Sequence, residues 1–137
     1  MNAPSIDIMT MIEASGDSSG ITGMTFAQDL FVAREPAKPD NCVTIFDTPG
    51  FPPWLGLAGE TGYEYPTIQI RVRNKDFRVG WNLMESIKNS LHGRHGETWN
   101  GTLYTYIACS NGPALLDWDD NGNVRIVLNL NLQRRPA

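Results

Sequence analysis

The stretch that most constrains the fold runs from Tyr65 to Leu91, where the hydrophobic period changes once. Thr67, Gln69, Arg71 and Arg73 alternate with Ile68, Ile70 and Val72, the two-residue repeat of a strand with one buried face. After Asn74 and Lys75, the residues Phe77, Trp81, Met84, Ile87 or Lys88, and Leu91 follow helical spacing. They define a stripe that can lie on a sheet. Asp76 is placed to cap this helix and Gly93 to stop it. Tyr65 precedes Pro66 and is held extended by it. A strand feeding directly into a long amphipathic helix is a scaffold, with its two arginines expected on the wet face.

The remaining chain supplies mostly strands. A short N-terminal helix is expected around Ile6, Met9 and Ile12, capped by Ser5, with Asp7 against its positive end. Gly16 ends it and opens a polar connector to Gly23. Thr25 to Arg34 reads as a strand, then Pro36 and Pro39 break the chain, and Cys42 to Phe46 makes another. Asp47 to Tyr65 reads as one long loop with Pro49, Pro52 and Pro53. Loops of that length in a small protein tend to be functional. Its Phe51, Trp54, Tyr63 and Tyr65 favour a docking role, against the alternative that they fold back on the core. His92 to Asn100 reads as a polar link, and Thr102 to Cys109 as a strand. Ser110 to Pro113 is a turn, Ala114 to Trp118 a strand, and Asp119 to Asn123 a second turn. Val124, Ile126, Leu128, Leu130 and Leu132 then alternate with Arg125, Val127, Asn129, Asn131 and Gln133 in the cleanest strand pattern of the chain. The pattern predicts one domain over 1–137. Its class is α+β, with a mainly antiparallel or mixed sheet, a long amphipathic helix on one face and a short N-terminal helix.

Composition excludes several function classes. With 137 residues, 41% hydrophobic content and a net charge of −4, the chain can build a core and carries no basic patch for nucleic acid or membrane surfaces. The first residues show no export signal, so Asn100-Gly101-Thr102 reads as a coincidental sequon and Cys42 and Cys109 as free thiols.

The motifs with chemical potential each lack a part. Phe46-Asp47-Thr48-Pro49-Gly50 resembles the metal side of a GTPase site, but no upstream glycine loop carries the lysine that holds phosphates. Asp117-Trp118-Asp119-Asp120-Asn121-Gly122 matches half of a calcium loop, yet Leu128 stands where a bidentate glutamate should close the shell. An Asn-Gly turn rimmed with acids fits better, leaving open a loose divalent ion between Asp117 and Asn121 that bridges to a neighbouring subunit. His92 and His95 lack the further ligands that zinc needs, and no nucleophile sits beside a base. The reading is therefore no enzyme, with no catalytic residue, cofactor or metal site. Candidate contact residues are Phe51, Trp54, Tyr63, Arg71, Arg73, Asn129, Asn131 and Gln133. The last three form an amide face that a polar partner can cover at modest desolvation cost.

Several segments together resemble the tail terminator proteins of long-tailed bacteriophages, also called minor capsid proteins. They are Leu30 to Pro36, Pro39 to Gly50, Tyr65 to Arg73 with its helix, and Gly112 through Asp119-Asp120-Asn121-Gly122-Asn123 to Arg134-Arg135. The resemblance covers most of the chain and carries no catalytic letters. It implies a small α+β subunit forming a six-fold ring on the tail tube. Such a ring stops polymerisation and presents a surface to head-completion proteins, while DNA passes through unbound. The expected partners are further copies of the chain, the tube protein and neck proteins, and the expected place is the virion, after assembly in the host cytoplasm. Two alternatives stay open: a neck or head–tail joining protein, and a small ligand-binding domain with the aromatic loop as a lid.

Overall fold

A computed structural model describes residues 1–15, 23–53 and 62–137. The elements in order are α1 (Pro4–Ala14), β1 (Leu30–Val32), β2 (Cys42–Phe51), β3 (Tyr65–Asn74), α2 (Phe77–Leu91), β4 (Glu97–Trp99), β5 (Thr102–Cys109), β6 (Ala114–Trp118) and β7 (Val124–Pro136). All seven strands form one mixed sheet in the order β1-β2-β3-β7-β5-β4, with β6 also paired to β7. Among the described strand pairs only β1–β2 is parallel.

The register explains the core. Val43 faces Val72 and Ile45 faces Ile70 across β2 and β3, while Val72, Ile70 and Ile68 face Ile126, Leu128 and Leu130 of β7. One face of the sheet is thus a continuous apolar layer. Ile8, Met11 and Ile12 of α1 and Met84, Ile87 and Leu91 of α2 close over it. At Gly80 α2 lies close to the sheet, since a Cβ there would stand 3.1 Å from Asn74 Cβ and 3.4 Å from Ile126 Cδ1.

β5 and β6 act as one interrupted strand. Thr102–Cys109 pairs with the second half of β7 and Ala114–Trp118 with the first half. Across the break, Ser110 N donates to Asn129 O at 2.9 Å and Asn129 N to Asn111 Oδ1 at 3.2 Å. The result is a long hairpin whose tip is the turn at Asp119–Asn123.

The α+β class and the mixed sheet are as expected, and several details differ. The helix expected to be long spans 15 residues against 11 for α1. Asp76 caps it as expected, accepting from Val79 N at 3.1 Å. Phe77, assigned to its buried stripe, is 44% exposed, because the buried stripe starts a turn later and runs through Gly80, Met84, Ile87 and Leu91. In α1 the cap is Ala3 with Pro4 in the first turn. Ser5 instead donates from N and Oγ to Asp47 at 3.0 and 2.6 Å.

The expected strand Thr25–Arg34 shrinks to three residues, because Ala27 and Ala33 adopt left-handed conformations at φ 69° on either side of it. The expected loop from Asp47 is ordered strand as far as Phe51, paired to Thr67 and Tyr65 through an irregular register. Gly50 permits this close pairing, since a Cβ there would lie 2.3 Å from Tyr65 O. The polar link contains β4, joined to β5 by Asn100 and Gly101, both at positive φ, the geometry of a tight hairpin turn.

Candidate functional site

The face of the sheet away from the helices carries four of the eight candidate residues, Arg71, Asn129, Asn131 and Gln133. Register sets Gln69 opposite Asn129, Thr67 opposite Asn131, and Tyr106 opposite Gln133. Gln69 Nε2 donates to Asn129 Oδ1 at 3.1 Å, and Arg71 Nε donates to Gln69 Oε1 at 2.8 Å. The Arg71 guanidinium also lies 4.7 Å over the Phe46 ring. Arg71, Gln69 and Asn129 therefore form one chained polar strip, with Asn131 and Gln133 further along it, all half-buried. Thr48 and Thr67 hydroxyls extend the strip at 2.7 Å. Uncharged amides flanked by a single satisfied cation make a surface that forms hydrogen bonds without a strong field.

Arg73 does not belong to this surface. It was expected on the wet face but is 4% exposed, because the chain from Glu35 to Asp40 folds over it. Its guanidinium donates to Pro39 O at 2.7 Å and Asp40 O at 3.0 Å, and Glu35 Oε2 lies 3.9 Å away. The same Glu35 oxygen pairs with Arg125 at 3.1 Å, and Arg125 reaches Asp117 at 3.2 Å. Both arginines are thus structural clamps on the loop and hairpin.

Among the described residues Phe51 is the most exposed large apolar side chain, at 75%. With Pro52, Pro53 and Tyr65 it lines a shallow cleft of about 450 Å³. Tyr63 is half-buried near this end of the sheet, and Trp54 lies outside the described residues. A second apolar patch, which sequence reasoning missed, is at the opposite corner. All five residues of β6 are exposed, including Leu115 at 51%, Leu116 at 43% and Trp118 at 54%. Its signal in the sequence is the pair Leu115-Leu116 followed closely by Trp118, without strict polar alternation, beside a hairpin turn.

The half calcium loop is a turn in which Asp117 and Asp119 are already engaged, Asp117 by Arg125. Asp119 accepts from Asn123 N at 2.8 Å and Asn121 N at 2.9 Å, and the Asn123 amide foremost holds its carboxyl below the usual carboxylate range. Among the described residues no three metal-ligating side chains converge. His92 is exposed and its Nδ1 accepts from Cys109 N at 2.9 Å. Cys42 and Cys109 are free, and burial pushes both thiols up.

Sequence reasoning also missed a buried cluster at the end of the sheet near α1. Asp7, wholly buried, accepts from the Tyr104 hydroxyl and from Asn100 Nδ2 at 2.7 Å, with Arg134 Nη1 at 3.8 Å. Arg134 also donates to Asn2 O at 2.8 Å. Burial, then the Asp7 hydrogen bond, raises the Tyr104 hydroxyl's pKa, so it stays a donor. This cluster locks α1 to the sheet.

The sequence profile of the bacteriophage tail terminator protein family matches residues 10–135. No curated protein sequence matches the chain. Among solved structures, the fold is similar to that of a chain from the virion of a native gene transfer agent particle. The TM-score is 0.67 at 12% identity, over 97% of this chain and 95% of that one. At that identity the likeness is one of fold.

Proposed function

The chain belongs to the bacteriophage tail terminator family, and from that premise we propose that its copies form a ring, a hexamer, on the end of the tail tube. The ring stops tube polymerisation and joins the tube to head-completion proteins. It acts as a structural part of the virion at the tail and neck, assembled in the host cytoplasm. The observation that carries this reading is the family match along nearly the whole chain. The surface fits it physically. An acidic subunit with an amide-rich sheet face offers contact to polar protein surfaces and little attraction to DNA passing through the ring. Phe51, Tyr63, Arg71, Asn129, Asn131 and Gln133 are the proposed subunit and tube contacts, with Trp54 beside them in sequence. Arg73, clamped under the Glu35–Asp40 loop, leaves that set. Binding to isolated tube subunits and to portal rings tests the role. Capture by tube subunits supports the terminator reading, and capture by portal rings alone makes the chain a neck protein.

A further inference from the structure

The sheet has two edges, and among the described residues each is covered over only half its length. On one edge β1 covers Val43 to Ile45 of β2 and leaves Phe46 to Phe51 bare. On the other edge β4 covers Thr102 to Tyr104 of β5, Gly93 and Arg94 bond the backbone of Ile107, and β6 is bare. The bare halves lie at diagonal corners, because β6 pairs with Val124–Val127 at the level of the β2 start, whereas Phe51 pairs with Tyr65 at the far end. Both carry exposed apolar side chains: Phe51 beside its cleft on one, and Leu115, Leu116 and Trp118 on the other. An exposed apolar strand edge is a template for another chain unless something protects it.

We propose that these two corners are the contact between neighbouring copies: β6 of one copy lies antiparallel against Phe46–Phe51 of the next, with Trp118 beside Asp47 and with Ala114 and Leu116 toward the Phe51–Tyr65 cleft. This deepens the ring reading and rests on it. Three features of the fold favour a second copy as the occupant. First, the strands β6, β7, β3 and β2 are antiparallel in turn. A copy added by rotation alone therefore continues the alternation, with every helix on the same side of the shared sheet. Second, β1 covers Val43–Ile45 and β4 covers Thr102–Tyr104, at opposite levels of the sheet, so each bare half lies on the stretch that its own flanking strand leaves open. Third, the offset is that of a closed sheet. Bringing Trp118 beside Asp47 shifts one copy along the strands by about six residues, roughly 20 Å, across four strand spacings of roughly 19 Å in all. The resulting tilt is about 45°, at the upper limit for closed sheets. Pro49 removes one donor from the bare β2 edge, so the ladder is short and apolar packing provides most of the adhesion. The contact is head-to-tail, the kind that generates rings.

Two surface variants separate the possibilities: Leu116→Asp with Trp118→Asp on β6, and Phe51→Asp on β2. All three positions are exposed, and circular dichroism melts within about 2 °C of the wild type confirm folding. If either variant melts lower, Leu115→Asp or Pro52→Asp replaces it. Sedimentation and electron microscopy are run where the wild-type chain forms rings, alone or on tube ends. Each variant alone is expected to lose ring formation at least tenfold. Mixed in equal amounts, the two variants are expected to form one-to-one pairs that grow no further, because each keeps one good edge. Rings from either variant alone, or a mixture that stays unpaired, overturn the assigned contact and leave the ring reading standing. A wild-type chain that forms no ring in solution or on tubes overturns the ring reading itself.

Discussion

Replacing Asp7 with alanine tests whether the buried cluster holds α1 to the sheet. The side chain is fully buried and has three partners: the Tyr104 hydroxyl, Asn100 Nδ2 at 2.7 Å, and Arg134 Nη1 at 3.8 Å. Removing it strands a buried hydroxyl and leaves Arg134, itself 6% exposed, without its closest fully buried counter-charge. Breaking a buried pair in this way costs about 3–5 kcal/mol. For 137 residues, an unfolding entropy of about 2.1 cal/mol/K per residue makes each kcal/mol worth roughly 3–4 °C. Asp7→Ala is therefore expected to lower Tm by about 10–17 °C. Tyr104→Phe removes only one hydrogen bond to a charged group, about 1.5–3 kcal/mol, or roughly 5–10 °C. Thermal and urea unfolding followed by circular dichroism measure both. A loss below about 1 kcal/mol for Asp7→Ala would mean that the cluster is solvated or rearranges freely, and the reasoning would fail.

Gly50→Ala places a methyl against Tyr65 O and Pro66 Cα, both backbone, so the end of β2 must part from β3. Faster amide exchange at Phe51 and Tyr65, with a cost of about 1–3 kcal/mol, is expected, and unchanged exchange would refute the close approach. At the hairpin tip, the Asp119 carboxyl has a folded pKa below its unfolded value of about 3.9. Its contribution is present above that value and is lost as pH falls through the lower folded one. The Tm gap between the wild type and Asp119→Ala should thus be widest at neutral pH and close toward pH 2, while a constant gap would show that the charge is not involved.

How much was legible in the sequence depended on whether the deciding partner was local. The alternation in β3 and β7 and the stripe of α2 carry their own period, so these elements stand where expected. The end of β2 was hidden because Pro49 and Gly50 are loop residues by habit. An edge strand tolerates the first, and close approach to Tyr65 requires the second. Asn100-Gly101 is a hairpin signal that also fits a sequon, and β4 before it spans only three residues, too short to show a period of its own. Arg73 alternates onto the open face, and only the distant Glu35–Asp40 loop buries it. Asp7 meets partners more than ninety residues away, for which no local pattern exists. Among the candidate contacts, the strip through Arg71, Asn129, Asn131 and Gln133 follows from alternation, whereas the exposed β6 corner emerges only once β5 and β6 share one partner strand.

The central claim, a ring that ends a tail tube, is tested most directly by imaging tubes incubated with the purified chain and then supplied with more tube subunits. Capped tubes should show a ring on one end, six copies of the 15.2 kDa chain, and no further growth at that end. Bare ends that keep growing at the rate of untreated tubes would contradict it.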